Sequence, residues 1–182
     1  STAPSSSTSP GASASKSASI TGTKDEALAA KVPDKFKSKG VLLDGTDGSY
    51  APNEVIGADG KTLEGMSIDL LNAVAATLGL KVEYTNANFD TIILGVTSGK
   101  YDIGISSFTI NDERKQQVQM VQYFNAGTAW ATTKGSGLNP DDVCGKKIGV
   151  QKGTVQVDDL TARSKKCTDA GKPAITAVVE EK

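Results

Sequence analysis

The sequence predicts an α/β chain, and three observations carry that expectation. Short strand-forming runs alternate with amphipathic helical runs from Val41 onward. The helical runs repeat apolar residues at i, i+3, i+4 and i+7, and a glycine follows each of the first two, at Gly79 and Gly99. Strand–helix alternation of this kind implies parallel pairing with crossover helices.

The elements follow in order. A short helix is expected over Asp25 to Ala30, ahead of Pro33 and a turn, then a first strand over Val41 to Asp44. Thr46 to Pro52 is a turn-rich loop, and Gly57-Ala58-Asp59-Gly60-Lys61 signals a hairpin. Met66 to Leu78 is a helix with Ile68, Leu71, Val74, Ala75 and Leu78 on one face. Val82-Glu83-Tyr84 is a strand, and Phe89, Ile92, Ile93 and Val96 mark a second helix, closed at Gly99. Tyr101 to Ile105 is a third strand. A further unit is expected as a strand over Lys147 to Val150, a helix over Thr154 to Lys166 and a strand over Ala174 to Val179.

Composition excludes several functions. The chain has 182 residues, a formal net charge of −1 and no apolar run long enough to span a membrane. Near-neutral, mixed charge argues against nucleic acid or an anionic membrane surface as the main partner. Histidine is absent. That removes the commonest general base, the commonest transition-metal ligand and every Ser/His/Asp or Cys/His nucleophile arrangement. The two cysteines lack CxxC spacing, so no zinc site is expected. Asp44-Gly45-Thr46-Asp47-Gly48 fails the spacing of a calcium loop and reads as a turn. No metal, cofactor or catalytic residue is expected. Residues Ser1 to Thr23 are almost wholly Ser, Thr, Ala, Pro and Gly, with too little apolar surface to offset ordering entropy.

The chemistry concentrates in Gly99-Lys100-Tyr101-Asp102-Ile103-Gly104-Ile105-Ser106-Ser107-Phe108-Thr109-Ile110-Asn111-Asp112-Glu113-Arg114. A buried strand stops at hydroxyl side chains and turns into a helix with an arginine in its first turn. Hydroxyls, free backbone N–H groups and a guanidinium at one place suit a small carboxylate.

This stretch closely resembles the signature of the extracytoplasmic solute-binding proteins of amino-acid ABC transporters (family 3 type), and the resemblance runs from about Lys39 to Gln156. It implies a two-lobed periplasmic-binding-protein-like (type II) α/β fold, with the first lobe mostly present and the second incomplete. On that reading residues 1–37 are a disordered tether and N-terminal extension, and 38–127 form lobe 1 without its C-terminal return. Residues 128–182 form a hinge strand, from the small-residue run Ala126 to Thr133, and the first part of lobe 2. The expected function is capture of a polar or basic α-amino acid between the lobes and its delivery to an ABC permease. The expected location is outside the cytoplasm, as a lipoprotein on the outer face of the cell membrane through a lipid anchor upstream of Ser1, or periplasmic.

The resemblance also assigns roles. Arg114 holds the ligand carboxylate, helped by the Thr109 N–H. Ser106 and Ser107 make polar contacts, the Ser107 carbonyl accepting from the α-ammonium. Tyr50 lies flat on the ligand side chain, Phe89 lies on the other side, and Asp47 faces polar or cationic side-chain groups. Thr154 and the Val155 N–H reach the same carboxylate from the second lobe, with Gln151 and Gln156 as side-chain readers. Asn53 departs from the aromatic common at its position. The residues themselves also allow blander readings: Arg114 paired to Asp112 or Glu113, the serines as caps, the rings as core. Outside the cytoplasm Cys144 and Cys167, 23 positions apart, are expected to form a disulfide, with two buried thiols as the alternative. An enzyme on the same scaffold (dehydratase or lytic glycosidase type), with Asp47, Glu54 or Asp102 as acid or base, and a ligand-sensing receptor domain are the competing functions.

Overall fold

A computed structural model describes residues 20–182. The tether expected over the first residues of the chain lies mostly outside the described residues.

Two short helices lead in. α1 (Glu26–Ala30) starts where the Asp25 carboxylate accepts from the Ala27 and Leu28 N–H groups at 2.9 and 3.0 Å, and α2 (Asp34–Lys39) ends at Gly40. The chain then enters β1 (Val41–Thr46), a central strand. A small antiparallel meander follows, β2 (Ser49–Tyr50), β3 (Glu54–Ile56) and β4 (Leu63–Glu64), the last two joined through the predicted hairpin turn. α3 (Met66–Thr77) buries Ile68, Leu71 and Ala75, and Gly79 just past its end adopts φ 72°, as a left-handed helix stop requires. Val74, grouped with them by periodicity, is exposed on the cleft side.

β5 (Lys81–Asn86) pairs parallel with β1 along its whole length, from Val41 opposite Lys81 to Thr46 opposite Asn86. α4 (Phe89–Thr97) crosses back over the sheet with Phe89 and Ile92 buried. β6 (Ile103–Gly104) then pairs with β1 from the other side, giving the order β5-β1-β6. This third strand is shorter than the predicted Tyr101 to Ile105. Tyr101 instead fills the space between β1 and α4, where a Cβ on Gly45 or Gly95 would lie 2.6 or 2.4 Å from its ring. Asp102 takes a structural place, its carboxylate accepting from the Leu43 N–H at 2.9 Å and from Lys39 at 2.6 Å.

After α5 (Asp112–Lys115) the chain runs without regular structure to β7 (Lys147–Gln151), which α6 (Val155–Asp169) links to a parallel partner, β8 (Thr176–Glu180). The hinge strand expected from Ala126 to Thr133 does not form among the described residues. Its backbone has no neighbouring chain to pair with there, and a strand exists only as part of a ladder. A compact cluster of Val143, Cys167 and Ile175, with Trp130, Leu138 and Ile148 against it, closes this second unit. Cys144 and Cys167 are disulfide-bonded with Cα atoms 5.6 Å apart, in the middle of that cluster. No helix among the described residues is long and apolar enough to cross a membrane.

Candidate functional site

β1, β6 and β7 all end at one cleft of about 1240 Å³, as open α/β sheets lead one to expect. Asp47, Tyr50, Phe89, Ser106, Ser107, Thr109, Arg114, Gln151, Thr154, Val155 and Gln156 all line it. Residues far apart in sequence thus face one space, although each meets it differently.

Arg114 is fixed from both ends. Asn111 caps α5, its side-chain oxygen accepting from the Arg114 N–H at 2.8 Å. Arg114 is only 8% exposed, and its guanidinium donates to the Thr109 carbonyl at 2.7 Å and to the Gly153 carbonyl at 2.9 Å. No carboxylate lies within salt-bridge distance of it among the described residues; Asp112 pairs with Lys115 instead. Burial therefore pulls its pKa down from the ordinary arginine value, opposed by the charges of Glu113 and Asp158. A buried cation with no anion is a strong attractor for one.

The ring expected beside the ligand is already engaged. Phe89 is buried and stacks on Phe108 with centroids 4.4 Å apart, and the Arg114 guanidinium lies 5.6 and 5.3 Å from the two centroids. The pair thus forms an aromatic floor for the cation. Phe108 was missed in the sequence, although it stands inside the Ser106-Ser107-Phe108-Thr109 run. Tyr50 is 55% exposed, at the rim of the cleft.

Asp47 is 2% exposed and heavily used. One carboxylate oxygen accepts from the Ser49 N–H at 3.1 Å, the other from the Phe89 N–H at 3.2 Å and the Gln151 side-chain amide at 2.9 Å. The Asp47 N–H in turn donates to the Ser106 hydroxyl at 3.0 Å. Ser107 has φ 54°, the one left-handed non-glycine among the described residues. Its hydroxyl donates to Glu54 at 2.8 Å, while its N–H donates to the Tyr123 hydroxyl at 3.2 Å. Glu54 is fully buried, and burial raises its pKa, with the Asp47 charge adding to the rise and the Ser67 and Ser107 hydroxyls opposing it. Glu54 and Tyr123 carry no local sequence signal for this arrangement, which is set wholly by tertiary contacts.

From the opposite wall, Gly153 turns the chain at φ 74° into α6. The Thr154 hydroxyl donates to the Gln151 carbonyl at 2.7 Å and makes no cap bond. The N–H groups of the first turn of α6, at Val155 and Gln156, thus lack intrahelical acceptors and start beside Arg114. The Gln156 side-chain amide donates to the Thr128 hydroxyl at 2.8 Å. Lys152 bridges Asp90 at 3.0 Å and Glu181 at 2.9 Å.

Deeper still, Asp44 is fully buried beside Thr46. The Thr46 hydroxyl has one proton, yet lies in hydrogen-bond contact with both Asp44 and the Ile105 carbonyl, the latter at 2.8 Å. A neutral Asp44 resolves this by donating to Thr46, which donates onward to Ile105, while the Ile105 N–H donates to the second Asp44 oxygen at 3.0 Å. Burial, reinforced by Glu54, raises the Asp44 pKa to about 7 against the opposing hydrogen bonds of Thr46 and Ile105.

The arginine-binding protein ArgT of Corynebacterium glutamicum is 34% identical over 157 residues, 85% of this chain and 51% of its own length. The L-cystine-binding protein TcyJ of Escherichia coli strain K12 is 32% identical over 124 residues, 66% of this chain and 46% of its own length. The structure of holo ArgBP from T. maritima superposes with a TM-score of 0.70 at 29% identity, covering 82% of this chain and 64% of that one. These neighbours have the two-lobed type II architecture predicted from the sequence. The chain spans about half the length of the curated relatives it matches. Residues 42–181 match the family of bacterial extracellular solute-binding proteins, family 3, and the chain belongs to that family of binding proteins, not of enzymes.

Proposed function

We propose that this chain captures an α-amino acid with a cationic or polar side chain in the cleft, outside the cytoplasm, for delivery to the permease of an ABC importer. Arg114 carries the reading: a buried guanidinium with no carboxylate partner among the described residues, set against the free N–H end of α6. One ligand carboxylate would accept from Arg114 on one wall and from the Val155 N–H on the other, so the ligand itself favours closure of the two walls. Residues 38–127 would form the first lobe and 128–182 the hinge crossing and part of the second.

Asp47 argues for a basic side chain. Its buried carboxylate already attracts the Gln151 amide across the cleft, and a guanidinium is a stronger donor for the same oxygen. ArgT and ArgBP, similar in sequence and structure respectively, are named for arginine and agree with that choice. The acids needed for the enzyme reading are committed: Asp102 to the β1 backbone, Glu54 to Ser107 and Asp47 to three N–H donors. The composition of residues 1–23 suits a tether to a lipid-anchored N-terminus.

Isothermal titration of the chain against the twenty amino acids and cystine tests this. Arginine should bind most tightly, with lysine next. Tighter binding of cystine or of an apolar amino acid would overturn the side-chain reading, and binding of none of them would overturn capture itself.

A further inference from the structure

We propose that Glu54 is a positioning residue, holding Ser107 in its left-handed conformation so that the Ser107 carbonyl presents itself to the ligand's α-ammonium. The inference rests on the amino-acid reading above, but its evidence lies away from the carboxylate end of the site.

Backbone at φ 54° is unfavourable for a serine, which gives up more stable conformations to adopt it. Such a conformation persists only where the surroundings over-determine it, and here they do. The Ser107 hydroxyl lies 2.8 and 3.1 Å from the two Glu54 oxygens. The Asn53 side-chain amide donates to that hydroxyl at 3.3 Å, and the Ser107 N–H donates to Tyr123 at 3.2 Å. The Tyr123 hydroxyl is 3.2 Å from that of Ser67, which also faces the Glu54 carboxylate. Glu54 is therefore the hub of a network that grips Ser107 by side chain and backbone together.

A buried acid is costly, and this one makes no salt bridge among the described residues. What it does fix is one peptide at the wall of the cleft, between Ser106, which meets Asp47, and Phe108, which floors Arg114. On the proposed role, a Ser107 peptide that left the left-handed region would turn its carbonyl from the ligand, while Arg114 and Asp47 keep the bonds that hold them to Asn111, Gly153 and Phe89. Glu54 thus acts on recognition of the ammonium and not on the carboxylate or the side chain.

The test compares arginine with its desamino analogue, 5-guanidinopentanoic acid, by calorimetry on the wild-type chain and on Glu54→Ala and Glu54→Gln, with the Ser107 HN–Hα coupling measured by NMR. Wild type should prefer arginine. Glu54→Ala should weaken arginine by about tenfold, leave the analogue's affinity unchanged and shift the Ser107 coupling. Glu54→Gln, which keeps an acceptor for the Ser107 hydroxyl, should restore most of the preference. Equal losses for both ligands, or an unchanged coupling in Glu54→Ala, would overturn the proposal. Failure of the wild-type chain to bind arginine would instead overturn the amino-acid reading and the ammonium role with it. The coupling would still report separately whether Glu54 holds the backbone.

Discussion

Arg114 donates to the carbonyl of Gly153 at 2.9 Å, tying the start of α5 to the turn that opens α6, 39 residues further along the chain. The contact places a cation and a helix N-terminus at one point, with no salt-bridge partner for the cation among the described residues. Both are attracted to the same kind of group, an anion small enough to touch them together.

Arg114→Ala should therefore weaken ligand binding by about 2–5 kcal/mol, the range for removing one member of a desolvated charge pair. Arg114→Lys should recover only part, because an ammonium cannot reproduce the flat two-pronged contact. Calorimetry alongside thermal melting separates the effects: the affinity loss should far exceed any change in melting temperature.

Gly153→Ala should also weaken binding. A Cβ there would sit 2.6 Å from that of Asp90 at the start of α4, and a φ of 74° disfavours any side chain. The turn would have to move off α4, carrying the N–H groups of α6 from Arg114. An affinity equal to wild type would show that the close approach is not needed for binding.

Asp44 predicts a pH dependence of stability. Its folded pKa of about 7 stands above the ordinary 3.8, so between those values the folded state holds a proton that the unfolded state has released. Stability from this group is full at low pH and falls as pH rises through the window, by up to about 1.4 kcal/mol per pH unit. Asp44→Asn, whose amide donates to Thr46 as the protonated acid does, should flatten that slope in urea denaturation and raise stability at neutral pH. A slope that survives the substitution would place its origin elsewhere.

Reduction of the Cys144–Cys167 disulfide, or the paired substitution to serine, should cost about 3 kcal/mol of stability in the chain-entropy picture of a loop this size. The bridge sits in the Val143 and Ile175 cluster, away from the residues that line the cleft. Arginine affinity measured well below the lowered melting temperature should be unaffected.

Much of this was legible in the sequence because it is local. The i, i+3, i+4, i+7 pattern from Phe89 locates α4, and Gly79 marks the end of α3. The run from Ser106 to Arg114 announces hydroxyls and, after them, a guanidinium in the first turn of a helix. What escaped depends on partners distant in sequence. Ala126 to Thr133 has the composition of a strand, but pairing is a property of two strands and not of one. β6 shrinks to two residues because only Ile103 and Gly104 find register with β1, and Tyr101 is drawn to the gap left by two glycines. The Glu54–Ser107 bond joins positions 53 residues apart, and the neutrality of Asp44 follows from counting protons on Thr46. Neither has a pattern that a linear reading can detect.

Gln151 against Asp47 and the Gly153 carbonyl against Arg114 make up a set of placeholders. On the proposed reading an incoming ligand would swap bonds with them, so a mismatched visitor that satisfies only one handle would leave the other still covered. Discrimination then rests on how much better each exchange is, which favours graded tolerance of related compounds over all-or-none rejection.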